Sequence, residues 1–148
     1  MADPADGWDD GSVQGSTGTA PDLAARGRVL VADDHAALRA VIADALRTHG
    51  YAVDEAADGH AALELLRGGG YCAAVLDQKM PGSDGLAVAE SIREQGLGCT
   101  AIVISVVADP ETRRRAAAVG ARFHEKPFQL DALLADVEAA CAGSEALR

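Results

Sequence analysis

The sequence predicts an α/β fold: a five-stranded parallel sheet, doubly wound, with helices on both faces. Three observations carry that prediction. Short apolar runs alternate with segments whose apolar residues repeat at helical spacing. The runs at 28–32, 71–76 and 101–105 show no in–out alternation, as strands covered on both faces require. Helix caps and glycine stops punctuate the alternation.

The elements follow in order. Arg28 to Ala32 (RVLVA) reads as a buried strand. Ala36 to His49 places Leu38, Val41, Ile42, Ala45 and Leu46 at helical spacing, and Gly50 ends the helix. Tyr51 to Ala56 is the second strand. Asp58 caps a helix through Leu66, and Gly68-Gly69-Gly70 stops it. That triplet lacks the lysine and serine or threonine of a phosphate-binding loop. Tyr71 to Leu76 is the third strand. Ser83 or Asp84 caps a helix to Gln95. Ala101 to Ser105 (AIVIS) is the fourth strand. Asp109-Pro110-Glu111 supplies a cap, a first-turn proline and an acidic first turn for a helix to Val119. Ala121 to Glu125 is the fifth strand, and Phe128 to Cys141 the last helix.

Composition narrows the function. At 148 residues, 49% of them apolar, the chain suits one domain with a real core. Acidic residues outnumber basic ones 23 to 13, and five residues are aromatic (Trp8, Tyr51, Tyr71, Phe123, Phe128). Both facts argue against nucleic-acid binding. No apolar run approaches the roughly 20 residues of a membrane span. The N-terminus has neither the basic start nor the apolar core of a secretory signal. Three widely spaced cysteines (Cys72, Cys99, Cys141) form no metal-ligand pattern and suit a reducing cytosol. Residues 1–27 are expected to be a disordered acidic Gly/Ser-rich leader, with Trp8 solvated. The folded domain is expected over 28–142, with a short tail at 143–148. Seven residues follow Cys141, so no DNA-binding output domain is expected after it.

In a doubly wound sheet, ligands bind beyond the carboxyl ends of the strands, where strand order reverses. Here the first strand ends in Asp33-Asp34, the third in Asp77, and the fourth in Ser105. The fifth is followed by Lys126-Pro127. Three gathered carboxylates repel one another, and a divalent cation removes that cost. Oxygen ligands select Mg²⁺, Mn²⁺ or Ca²⁺, and an incomplete carboxylate shell with room for a phosphate suits Mg²⁺ best. A metal, a lysine and a hydroxyl around one carboxylate are the requirements of phosphoryl transfer to an aspartate.

The stretches VLVADDHAALR (29–39), VLDQKMPGSDGL (75–86), IVISV (102–106) and GARFHEKPF (120–128) resemble the response-regulator receiver domain of two-component signalling. The resemblance covers about three quarters of the chain. It implies a flavodoxin-like sheet of strand order 2-1-3-4-5. It implies Asp77 as phosphoacceptor, with Asp33, Asp34, Asp77 and the backbone carbonyl of Lys79 on Mg²⁺ or Mn²⁺. Ser105 matches the phosphoryl-binding hydroxyl, Lys126 the lysine ion-paired with it, and Phe123 the aromatic switch residue. Ser105 and Phe123 would move together and repack the face of the fourth helix, fifth strand and fifth helix. Lys79, Val106 and Val107 occupy rate-tuning positions. Val106 stands where the family usually has Ala or Gly, and is expected to narrow the phosphoryl entrance. Gln78 replaces a more usual apolar residue.

The implied function is a stand-alone phosphorylatable receiver in the cytoplasm. A sensor histidine kinase or phosphotransfer protein would be its donor and a downstream protein its target. A homodimer through the face of the fourth and fifth helices is compatible with it. It is not expected to be an enzyme beyond self-phosphorylation from small donors and self-dephosphorylation. Two alternatives remain: a phosphorylation-independent receiver-like scaffold and a metal-dependent aspartyl phosphatase. The phosphatase class needs an acid two residues after its first-strand nucleophile, where His35 stands. His35 reads as a solvated loop residue. His49, His60 and His124 read as surface or edge residues. Arg113-Arg114-Arg115 reads as a solvated helix or a docking corner, because consecutive helical positions point 100° apart.

Overall fold

The computed structural model describes residues 26–146. The elements are β1 (Arg28–Ala32), α1 (Ala36–Thr48), β2 (Ala52–Ala56), α2 (Gly59–Arg67) and β3 (Ala73–Asp77). Then come α3 (Gly85–Glu94), β4 (Thr100–Ser105), α4 (Pro110–Ala118), β5 (Arg122–Glu125) and α5 (Leu130–Ala146). The strands form one sheet in the order β2-β1-β3-β4-β5, and every neighbouring pair is parallel. The expected 2-1-3-4-5 sheet is therefore the observed one. The leader reading for residues 1–25, including Trp8, lies outside the described residues.

The pleat explains the two-sided core. Successive strand residues point to opposite faces. Leu30, Leu76 and Val103 pack with Leu63, Leu66, Leu86 and Ile92 from α2 and α3. Val29, Val31, Val75, Ile102 and Ile104 pack on the other face with Ile42 and Leu46 of α1 and Leu133 and Val137 of α5. Each fully buried Leu or Ile contributes roughly 1.5–3 kcal/mol of apolar transfer, so both layers are held by burial. The chain leaves β1 toward one face and β3 toward the other, which opens a crevice between their carboxyl ends.

Helix starts obey cap chemistry. Asp58, Asp84 and Asp109 accept from the backbone N–H of Ala61 (2.8 Å), Ala87 (2.7 Å) and Thr112 (2.9 Å). His35 is an exposed loop residue, as expected, and it also caps α1: its Nδ1 accepts from Leu38 N at 3.2 Å.

Several boundaries shift. Strand β3 begins at Ala73 instead of Tyr71. The Tyr71 hydroxyl instead donates to Asp54 at 2.6 Å. Helix α5 begins at Leu130 instead of Phe128, because Gln129 O accepts from both Ala132 N and Leu133 N. The helix also continues to Ala146, into the segment expected as a tail. At the other end, Arg26 N donates to Gly50 O and Gly27 O accepts from Ala52 N, each at 2.9 Å. The structured chain thus takes in two residues assigned by sequence to the leader.

Two of the three cysteines are paired. Cys72 and Cys141 form a disulfide across 69 residues, with Cα atoms 5.0 Å apart, and Cys99 remains a thiol. Spacing along the chain carried no sign of this, because the topology brings the entrance of β3 beneath the last turns of α5. Gly27 passes over the bridge at φ +148°, where a Cβ would stand 2.6 Å from Cys72 Sγ. Burial pushes the Cys99 thiol up to about 12, so it is a poor nucleophile.

Protein purified without reductant and alkylated after denaturation is predicted to carry one label, on Cys99, and three after reduction. Closing a loop of this length contributes about 4 kcal/mol in the chain-entropy account, so reduction is predicted to lower the melting temperature. Three labels before reduction would refute the pairing.

Candidate functional site

The carboxyl ends of the strands bring the polar residues together. Asp33 follows β1, with its N–H bound to Ala56 O at 3.0 Å. It is 2% exposed; Oδ1 accepts from His35 N at 2.8 Å, and Oδ2 is buried with no partner among the described residues. Arg39 donates to Asp33 O at 2.7 Å and pairs with Glu55, which fixes this corner. Asp34 is exposed. Asp77 ends β3 and is 6% exposed. One oxygen each from Asp33, Asp34 and Asp77 lies within 4.8 Å of the others.

Lys126 closes the cluster. It follows β5, and its N–H donates to Ser105 O at 2.8 Å. Its side chain crosses β4 to place Nζ 2.7 Å from Asp77 Oδ1. Ser105 ends β4, buried, with Oγ accepting from Val107 N at 2.9 Å.

Three carboxylates and one ammonium do not balance. At 4.8 Å two such charges repel by about 3 kcal/mol at an effective dielectric near 20. Burial holds the Asp33 carboxyl above the ordinary carboxylate value, and the Asp77 charge adds to this, against the lowering influence of the His35 N–H and Lys126. A raised acid binds its proton more tightly folded than unfolded. Stability from this group is therefore highest at low pH and falls as pH rises through the raised value. The orphaned Oδ2, the excess negative charge and the all-oxygen donor set fit a divalent cation of the Mg²⁺ class.

The β3–α3 loop is tied down by Gln78. Its N–H donates to Ile104 O at 2.8 Å, its carbonyl accepts from Gly85 N at 3.2 Å, and its Oε1 accepts from Leu86 N at 2.8 Å. Sequence reasoning noted Gln78 only as a departure. No local signal marked it, because Gln78 stands well ahead of Asp84, the residue that caps α3. Gly85 is required by contact: a Cβ there would stand 2.7 Å from Asp77 O. The carbonyl of Lys79 follows this fixed segment, and the Lys79 side chain is exposed.

An open cleft of about 540 Å³ adjoins the cluster, lined by Asp34, Gln78, Lys79, Met80, Pro81, Asp84, Val107 and Thr112. Val107 borders it, whereas Val106 does not and is 60% exposed. Phe123 lies in β5 in register with Val103, half-buried on the α2/α3/α4 face, with the Arg113 guanidinium 5.1 Å from its ring centre. His124 lies on the edge strand β5, as the sequence reading has it, and sits 2.6 Å from Asp136 of α5. His49 Nδ1 lies 2.8 Å from Ala45 O.

Comparison with known proteins follows the geometry. A family model described as the response regulator receiver domain matches residues 29–138. The chain is 37% identical over 114 residues to the transcriptional regulatory protein TcrA of Mycobacterium tuberculosis, covering 76% of this chain and 45% of that protein. It is 37% identical over 113 residues to the transcriptional regulatory protein TctD of Salmonella typhimurium, covering 76% and 50%. The chain thus spans about half the length of the curated relatives it matches. The receiver domain of NarL from M. tuberculosis superposes with a TM-score of 0.73 at 34% identity, covering 80% of this chain and 98% of that one. TrrA of Thermotoga maritima, solved with Mg²⁺ and BeF, gives 0.69 at 29% identity, covering 77% and 98%. With the acidic cluster, the Lys126–Asp77 pair and the sheet order all in place, the chain belongs to the response regulator receiver domain family.

Proposed function

We propose that the domain accepts a phosphoryl group on Asp77 and signals by partner binding. The observation that carries this is Lys126 Nζ 2.7 Å from Asp77 Oδ1 beside the buried, unpartnered Asp33 Oδ2. The donor is the phosphohistidine of a sensor histidine kinase or phosphotransfer protein. A carboxylate oxygen of Asp77 attacks phosphorus as the P–N bond breaks, and the electron pair leaves on the imidazole. The product is an acyl phosphate and a free histidine. Lys126 offsets charge on the transferring oxygens, and the Gln78 bonds hold the loop clear of the attack line. Asp33, Asp34, Asp77 and the Lys79 carbonyl would hold Mg²⁺ or Mn²⁺, which supplies further charge neutralisation when bound.

The phosphoryl group brings nearly two negative charges and new acceptors to the end of β3. Ser105 Oγ then exchanges its Val107 N–H partner for a phosphoryl oxygen, and Phe123 follows inward. The readout is a changed α4/β5/α5 face, met by a downstream protein or a second copy of the domain. The phosphoryl group stays on the domain's own residue, so the domain is a phosphoacceptor, not an enzyme with turnover on external substrate. We place it in the cytoplasm with its donors, without nucleic-acid or membrane contact. There a reducing milieu favours the dithiol form of Cys72 and Cys141, and the bridge forms on oxidation.

Incubation with acetyl phosphate and Mg²⁺, followed by intact mass, is predicted to show a gain of one phosphoryl group that is lost in Asp77→Asn. Steady release of phosphate from a small phosphoester without modification would point to a phosphatase, and no modification by any donor to a scaffold. Val107→Ala, which opens the cleft, is predicted to speed phosphorylation about twofold to fivefold, a barrier change of under about 1 kcal/mol. Val106→Ala is predicted to leave the rate unchanged. The reverse pattern would contradict the placement of the rim.

A further inference from the structure

We infer that Arg113 is a positioning residue that restrains the resting arrangement of the switch. The inference deepens the proposed phosphoacceptor function and rests on it. Three contacts converge on this one side chain. Its guanidinium lies 5.1 Å from the centre of the Phe123 ring. Its Nε donates to Ala108 O at 3.1 Å, in the loop that leaves Ser105. Its Nη2 donates to Glu125 Oε1 at 3.2 Å. Glu125 pairs with Ser105 in the sheet register and immediately precedes Lys126. One side chain of α4 thus ties together the loop after the hydroxyl, the aromatic ring and the strand end that carries the lysine.

The chemistry suits arginine. A planar guanidinium stacks on a ring while donating from two nitrogens in one fork, which an ammonium does not do. The neighbours do not share the task. Arg115 turns to Glu90 of α3 at 3.4 Å, and Arg114 is exposed. Consecutive positions on α4 therefore serve different elements, which resolves the arginine run into separate roles.

The restraint is selective for the resting state. When Ser105 turns to a phosphoryl group, its loop moves and carries the Ala108 carbonyl with it. When Phe123 turns inward, its ring leaves the guanidinium. Both contacts are lost in the activated arrangement, so they bias the equilibrium against it. Removing them should favour activation.

The test uses protein labelled with 4-fluorophenylalanine, which reports on Phe123 and Phe128, the two phenylalanines in the chain. Fluorine NMR follows a titration with BeF₃⁻ at fixed Mg²⁺, and intact mass follows the acetyl phosphate reaction. Arg113→Ala and Arg113→Lys are expected to lower the BeF₃⁻ midpoint about threefold to tenfold, as loss of one exposed cation–π contact and one hydrogen bond made only in the resting arrangement allows. Both are also expected to speed phosphorylation. Arg115→Ala removes an ion pair from the same helix and is expected to leave the midpoint unchanged, which separates the restraint from general loosening of α4. Equal midpoints in wild type and both Arg113 variants would overturn the inference, as would a raised midpoint. If wild type gains a phosphoryl group while its Phe123 signal stays put, the inference fails and the Asp77 reading survives. If wild type neither gains the group nor responds to BeF₃⁻, the Asp77 reading fails with it.

Discussion

The pair between Lys126 and Asp77 organises the end of this sheet. Lysine reaches from beyond β5, past β4, to the last residue of β3 at 2.7 Å. The two side chains are 23% and 7% exposed, so the pair is largely removed from water. Such a pair stabilises only when its surroundings are also balanced. Asp33 and Asp34 add two more carboxylates, and one buried oxygen of Asp33 has no partner. The fold pays for a concentration of negative charge that is useful only if something positive joins it. The metal binding and phosphoryl acceptance proposed above both draw on that imbalance.

The surrounding structure keeps the cluster in place. The apolar layers on both faces fix the strand ends, and the ends fix the polar residues. Gln78 and Gly85 hold the loop after Asp77. His35 and Arg39 hold the corner after Asp33. By contrast, the groups that would move are lightly held. Ser105 Oγ has one hydrogen bond from Val107 N–H, and Phe123 is half-buried under an exposed arginine. Rigid ligands beside a loosely held hydroxyl and ring are a sound division for a switch, since only the latter must change partners.

Much of this was legible in the sequence. Apolar runs gave five strands, and Asp58, Asp84 and Asp109 marked three helix starts that the structure keeps. Asp33-Asp34, Asp77 and Ser105 were readable because they end apolar runs, and Lys126 because it follows the last strand; parallel topology sends those ends to one edge. What was not legible depends on contacts between distant positions. The Cys72–Cys141 pairing spans 69 residues and has no local signature. The partners of His35 and His124, Leu38 N–H and Asp136, had no local signature because they are fixed by backbone geometry and by helix packing. Val106 and Val107 both follow β4, and sequence position alone did not say which lines the cleft.

The most direct measurement of the central claim is thermal unfolding of wild type and Asp33→Asn with and without Mg²⁺. A cation that completes an over-charged site binds the folded state and raises its melting temperature by mass action. The account predicts that Mg²⁺ raises the midpoint of the wild type, and that Asp33→Asn starts higher without metal and responds less. A wild-type midpoint indifferent to Mg²⁺, or an equal response in the variant, would contradict it.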